Sequence, residues 1–342
     1  MSRLRVAVIG AGTWGRNHVR TLGSLADVEL VAICDTSSQR REELRPQYPG
    51  ISITGEVADA LALADAAVIA TPAGTHAALA RAVIERGLPV LVEKPFALTV
   101  ADADEVAELA ASRGIPVLAG HLLLFHPAVE RLRAMIQAGD LGTVYYLYSQ
   151  RVNLGQVRPD ENALWSFGPH DVSVAMYLLG QVPVRVAAQG TAYLQPGIED
   201  VVFVTLEFDS GVMAHVQLSW LDPHKERRLT VVGSKRMVAF DDMQPREKLK
   251  VYDKGVDRPP TYASYGESLA IREGDIFVPR IPNVEPLTAE LRHFVAVARG
   301  AEPPRATAAD GAEVVRVLAA AARSLAEGGR PVAIELPRPA VR

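Results

Sequence analysis

A single cysteine, Cys34, in a chain of 342 residues leaves no partner for an intramolecular disulfide. A fold without such staples suits a reducing compartment. Cys34 ends an apolar run, Val28–Cys34, where a small core residue is expected rather than a reactive thiol. Long hydrophobic runs are also missing. No stretch approaches the roughly 20 apolar residues that span a bilayer. The opening Arg3-Leu-Arg-Val-Ala-Val-Ile-Gly10 leads straight into a turn rather than a cleavage site, so a cytoplasmic protein is expected. An excess of one charge is lacking too. The formal net charge is −4, without a long block of like charges, so neither nucleic acid nor a membrane surface is an expected partner. What remains is ordinary globular material, 49% hydrophobic and 22% charged. Its length exceeds the size at which one core usually stops growing, so two domains are expected.

The first 120 residues alternate apolar runs with helical patterns. The runs are Arg5–Ile9, Val28–Cys34, Ala66–Ala70, Pro89–Val92 and Ile115–Ala119, and amphipathic segments such as Thr75–Arg86 and Thr99–Arg113 separate them. Thr99 with an acid three residues on resembles a capping box, and Gly114 with Pro116 ends that helix. Buried strands alternating with helices predict a parallel, doubly wound α/β sheet. Past residue 121 the pattern changes. A helix (Pro127–Ala138) and a strand (Thr143–Val152) precede a polar stretch, Asn153–Asn162, and a helix, His170–Leu179. Long strand patterns follow: Val182–Tyr193, Val201–Phe208, Val212–Trp220 and Arg227–Phe240, with hairpin turns at Asp209-Ser-Gly211 and Gly233-Ser-Lys235. Residues 253–285 read as an irregular excursion, and helices Leu287–Arg299 and Gly311–Ala326 close the chain. The expected division is therefore 1–121, doubly wound, and 122–342, α+β with an antiparallel or mixed sheet.

Val6-Ala-Val-Ile-Gly10-Ala-Gly12-Thr13-Trp14-Gly15 is a strand running into G-x-G-x-x-G. Gly10 permits the tight turn, Gly12 lets the backbone approach a pyrophosphate, and Gly15 lets helix and strand pack closely. The helix start that follows offers free N–H groups and partial positive charge to phosphates. Asp35 lies 20 residues past Gly15 at the end of the next strand, where its carboxylate can accept both ribose hydroxyls. That acid repels a 2′-phosphate, so NAD is favoured over NADP. Arg40 and Arg41 close by are the counter-signal.

At Glu93-Lys94-Pro95 the chain resembles the glucose–fructose oxidoreductase, inositol dehydrogenase and rhizopine-catabolism (Gfo/Idh/MocA) family. The glycine turn, Ala70-Thr71-Pro72 with Thr75-His76, Gly120-His121 and His170-Asp171 occur in that family's order. The resemblance implies a Rossmann domain joined to an open-faced, mainly antiparallel sheet, assembly into homodimers or homotetramers through that sheet, and a cis Lys94–Pro95 bond. It implies that Thr71, Pro72, His76, Glu93, Lys94 and His121 lie around the cofactor, and that a hydroxyl on a sugar or cyclitol is oxidised or reduced.

Removing a hydride from a secondary alcohol requires that the hydroxyl proton also leave, so a base and an electrostatic partner must face it. Lys94, at the carboxyl end of a parallel strand, is expected to hold the substrate oxygen. His170 is expected to take the proton. Family members often carry aspartate four residues before this histidine, where Ser166 stands here. Asp171 has three open readings: it orients His170, binds substrate, or stabilises the first turn of a helix. His121 and His126 have no carboxylate or cysteine partners at ligand spacing, so no metal is expected. His126-Pro127 reads as a helix cap, whereas His18, His215, His224 and His293 show no pattern. Arg151, Asn153, Arg158, Asn162 and Trp165 suit an oxygen-rich, anionic substrate, with guanidiniums for carboxylate or phosphate and an indole for a sugar face. Together with Trp165-Ser-Phe-Gly-Pro-His170-Asp171, Leu229–Met237, Gly274-Asp-Ile276 and Glu285-Pro-Leu287, this stretch is similar to the family branch that oxidises carbon 3 of UDP-N-acetylglucosamine or its uronic acid. The competing readings are a dehydrogenase of a free sugar or inositol, and a non-catalytic NAD-binding sensor.

Overall fold

The computed structural model describes residues 2–155, 157–159, 161–257 and 270–335. The chain divides into two compact units, Met1–Phe125 with Val284–Val315, and His126–Asn283 with Arg316–Arg342.

In the first unit β1 (Leu4–Ile9), β2 (Val28–Cys34), β3 (Ser52–Thr54), β4 (Ala66–Ile69), β5 (Val90–Glu93) and β6 (Val117–Gly120) form one sheet. Its order is β3-β2-β1-β4-β5-β6, and every pairing is parallel. Successive residues of β4, β5 and β6 are all buried, as a sheet covered on both faces requires. Helices α1 (Thr13–Ser24), α2 (Ser38–Leu44), α3 (Val57–Ala62), α4 (His76–Glu85) and α5 (Val100–Arg113) connect the strands. The cap expected for α5 is present: the Thr99 side chain accepts from the Asp102 N–H, and Gly114 closes the helix at a left-handed φ of 64°. Strand β3 and helices α2 and α3 were not legible in the sequence. Three residues make no periodicity, and α2 buries only Leu44.

Helix α8 (Pro286–Ala298) belongs to this first unit. Its Leu287, Leu291, Phe294, Val295 and Val297 share a core with Val6, Val8, Val19 and Leu22. The expected boundary at 121/122 placed this helix in the second domain. Local patterning marked a change of style there but carries no information about a core partner supplied far along the chain.

The second unit holds a larger sheet made of β7 (Val144–Val152), β8 (Arg185–Thr191), β9 (Val201–Glu207), β10 (Met213–Ser219), β11 (Glu226–Gly233), β12 (Met237–Asp241), β13 (Leu249–Asp257), β14 (Ala270–Phe277) and β15 (Val332–Ala333). The order is β14-β13-β12-β11-β7-β10-β9-β8-β15, with β7 and β10 parallel and the remaining described pairs antiparallel. Helices α6 (Pro127–Gln137) and α7 (Ala163–Leu179) lie on one face. That face is apolar, built from Leu147, Val202, Val204, Val216, Leu218, Leu229, Val231 and Phe240. The alternate residues Tyr146, Tyr148, Phe203 and Met213 are exposed on the open face. Helix α9 (Ala308–Ala326) carries the chain from the first unit into the second.

Two expectations change here. The stretch 253–285 is not irregular throughout, because β13 reaches Asp257 and β14 spans Ala270–Phe277, while 258–269 lie outside the described residues. Gly255 and Gly274 are strand residues. A Cβ on Gly255 would come within 2.6 Å of the Arg272 guanidinium, and one on Gly274 within 2.9 Å of the Asp253 carbonyl. Secondly, α7 begins at Ala163 rather than at His170. Pro169 lies inside the helix. Gly168 is where Leu318 and Leu164 approach, 2.9 and 3.3 Å from where a Cβ would sit. No helix among the described residues is long and apolar enough to cross a membrane.

Candidate active site

The glycine turn ends β1 beside the end of β4, at the point where strand order reverses and open α/β sheets bind ligands. Gly10 has φ of 93°, and a Cβ there would stand 2.6 Å from the Ala70 carbonyl oxygen, so the turn and Ala70-Thr71-Pro72 are pressed together. A Cβ on Gly15 would stand 1.9 Å from the Gly10 oxygen. Both glycines are required by packing. Gly12 differs, because open space surrounds its missing side chain. Gly12 also N-caps α1 without a side-chain hydrogen bond, and no acid stands in the first turn. The helix start therefore keeps its N–H groups and partial positive charge for an anion. Thr13 and Trp14, in the first turn of α1, are exposed.

Asp35 is buried at the end of β2 and accepts from the Ala11 N–H at 2.8 Å and the Ser37 N–H at 2.9 Å. A carboxylate has about four acceptor positions, which leaves room for ribose hydroxyls. Arg41 is turned away, donating to the Asp35 and Thr36 carbonyls at 2.7 and 2.9 Å, while Arg40 lies 3.5 Å from the Asp35 carboxylate. An uncapped helix start, the open space a Cβ on Gly12 would take and a fixed acid fit NAD, which accepts a hydride when bound.

Lys94 follows β5 and the Lys94–Pro95 bond is cis. Its backbone N–H donates to Glu93 Oε2 at 3.1 Å, and His18 Nε2 on α1 lies 2.8 Å from Glu93 Oε1. Burial pushes Glu93 up, but the His18 hydrogen bond and the attraction of His18 and Lys94 bring it below the ordinary carboxylate range. Glu93, expected beside the cofactor, thus has its carboxylate committed to His18 and to the lysine backbone. Gly120 makes room for this, since a Cβ there would lie 3.0 Å from the Glu93 Cα and 3.3 Å from Oε2. His76 is likewise buried, its Nδ1 2.8 Å from the Pro95 carbonyl and its Nε2 2.8 Å from the Thr71 carbonyl. It ties the loop after β4 to the loop after β5. Burial pushes His121 down to about 4, so it is neutral at physiological pH, and neither ring nitrogen has a protein partner. Helix α8 adds Glu290, buried with both oxygens unpartnered and pushed well above the ordinary range by burial and by Glu93. Neither His18 nor Glu290 could be found in the sequence, because their partners are remote along the chain.

In the second unit His170 lies in the middle of α7 and is half-buried, with buried Ser166 one turn earlier on the same side. Asp171 is therefore not a first-turn acid. It accepts from Arg151 Nε at 2.5 Å in a largely buried pair, so Arg151, expected to face substrate, has a carboxylate of its own. Asn162 caps α7, accepting from the Trp165 N–H at 3.1 Å and donating to Glu199 at 2.6 Å. It holds the helix start through both ends of its amide. Trp165 is half-buried there, Arg158 pairs with Glu161 at 3.0 Å, and the buried Asn153 Oδ1 has no protein partner. His126 caps α6 as expected, its Nδ1 accepting from the Ala128 N–H. The structure adds Arg227 and Asp242 to this neighbourhood, neither of them singled out by spacing.

The family model described as "Oxidoreductase family, NAD-binding Rossmann fold" matches residues 4–121, and "GFO/IDH/MocA C-terminal domain" matches 129–239. The UDP-N-acetylglucosamine 3-dehydrogenase of Acidithiobacillus ferrooxidans is 28% identical over 266 residues, 76% of this chain and 80% of that protein. The inositol 2-dehydrogenase of Mycolicibacterium gilvum is 28% identical over 98% of this chain and 95% of its own. The crystal structure of GenD2 from gentamicin A biosynthesis in complex with NAD superposes with a TM-score of 0.82 at 26% identity, covering 98% of this chain and 97% of that one. Glycine turn, Asp35, Lys94 and the open-faced sheet thus stand in a setting shared by named dehydrogenases, and the chain belongs to the Gfo/Idh/MocA family of NAD-binding oxidoreductases.

Proposed function

We propose that this oxidoreductase removes a hydride from a secondary hydroxyl, on carbon 3, of a UDP-linked N-acetylated sugar, leaving a ketone. The observation that carries the chemistry is Lys94 at the carboxyl end of β5, its backbone held by Glu93 and His18 beside the nucleotide-binding turn. The Lys94 ammonium holds the substrate oxygen and stabilises the negative charge that develops there. His170 takes the hydroxyl proton. With serine rather than aspartate at 166, the histidine acts without a carboxylate one turn away. The likeness to the Acidithiobacillus enzyme supports the nucleotide sugar as substrate. Near-complete coverage by an inositol 2-dehydrogenase supports the second reading, a free cyclitol or sugar.

Incubating the protein with NAD and UDP-N-acetylglucosamine, or its uronate, and assaying the keto product directly tests this. Product from either supports the reading, and Lys94→Ala is expected to lower kcat by at least about 100-fold, the scale of one oxyanion-stabilising group. Turnover of inositol or free sugars alone favours the second reading. We propose further that the chain is a homodimer or homotetramer through the open face of the large sheet, and that it works in the cytoplasm.

A further inference from the structure

On the covered face of the large sheet, one cross-strand row changes from apolar to charged. Val202 faces Leu218, which pairs with Arg151, which pairs with Arg227 on β11. Beyond β11 the row reaches Asp242, whose N–H donates to the Arg227 carbonyl. Two guanidiniums thus stand as direct cross-strand neighbours, an arrangement that destabilises a sheet. Arg151 is answered by Asp171. Arg227 is not answered as fully. Among the described residues its one ion-pair partner is Asp242 at 3.7 Å, and that carboxylate also takes Lys248 at 3.2 Å and His126 at 3.4 Å. Three permanent cations therefore meet two carboxylates, and the half-exposed guanidinium of Arg227 is the one least matched. Arg228, next along β11, lies on the opposite face and is matched there by Asp241 and Glu226.

A like-charge pair retained at the edge of an apolar face has a function when an anion completes it. The geometry points to Arg227 as the residue that binds an anionic group of the substrate, a phosphate or a carboxylate, alongside the Arg151–Asp171 pair. Burial and the neighbouring Arg151 push the Arg227 guanidinium down from its ordinary range, and Asp242 and Asp171 offset this only in part. The inference rests on the proposed nucleotide-sugar reading and narrows it to one side chain.

The test is calorimetric titration of full-length, NADH-saturated protein with four probes: UDP-N-acetylglucosamine, its uronate, UDP alone and neutral myo-inositol. Arg227→Gln is expected to weaken the anionic probes by about 10- to 100-fold, the worth of one charge-assisted hydrogen bond, and to lower their salt dependence. Arg227→Lys is expected to recover part of the loss. An equal loss with UDP alone assigns the anion to phosphate, whereas a loss confined to the uronate assigns it to carboxylate. The melting temperature of Arg227→Gln is expected to match or exceed that of the wild type, because a repulsion has been removed. Unchanged binding of every anionic probe in Arg227→Gln overturns the inference and leaves the nucleotide-sugar reading standing. A drop in melting temperature with equal loss of all four probes, inositol included, also overturns it. Wild-type protein that binds inositol and none of the three anions overturns both.

Discussion

The glycines of the nucleotide turn divide by what a methyl group would meet. On Gly10 or Gly15 it collides with backbone, so substitution damages the fold itself. On Gly12 it meets nothing in the protein and occupies only the space a pyrophosphate needs. Gly12→Ala is therefore expected to leave the melting temperature within a degree or two while raising the Kd for NAD about tenfold or more, as calorimetry would show. Two buried groups of the same unit act oppositely with pH. His121 is held down near 4 by burial, against about 6.5 in the unfolded chain. Between those values the unfolded chain takes up a proton that the folded one refuses, so stability falls as pH drops through that window, by about 3 kcal/mol at most. Glu290 keeps its proton when folded, so its contribution to stability declines as pH rises above about 4.5. Denaturant titrations are expected to show His121→Gln losing less stability than wild type between pH 7 and 5. Glu290→Gln should gain stability at pH 8, with the gain vanishing near pH 4.5.

Among the elements, α7 shows why local signals go only part of the way. Its cap, Asn162, was expected to face substrate, and its start was expected at His170 rather than Ala163. The helix start is displaced because Gly168 is a packing residue here, and such a glycine imitates one chosen for a turn. Asn162→Ala is expected to cost about 1 kcal/mol from the lost cap, measured by thermal melting, and more if Glu199 is left unanswered. By contrast β1, β2, β4, β5 and β6 were legible to within two residues, because strands buried on both faces are uninterrupted apolar runs. The positions of the cofactor turn, Asp35 and Lys94 at strand ends were legible because short motifs mark them. Arg227 and His18 were not, since a cross-strand neighbour and a helix-to-strand hydrogen bond join residues that the sequence keeps far apart.

For the molecule as a whole, the open sheet face is the feature most in need of a cover. Rows such as Tyr146 opposite Met213, and Phe203 opposite Gln217, expose aromatic and thioether surface instead of the charged residues usual on a solvated sheet. Sedimentation is expected to find a dimer or tetramer, and Tyr148→Glu or Phe203→Glu to lower the assembled mass toward that of one chain. A monomeric wild type would remove this role from the sheet.

Helix α8, packed against the first residues of the chain, has a consequence for how the protein is made. The nucleotide-binding unit is discontinuous, and Leu287, Leu291 and Phe294 fill part of its core. While a ribosome is still translating the large sheet, the six-stranded sheet has already emerged but lacks one wall. The apolar side of α1 stays wet until nearly the whole chain has left the exit tunnel. The first unit to be synthesised is therefore among the last to be completed, and a nascent chain stalled before residue 284 would be a client for chaperones rather than a finished nucleotide-binding domain.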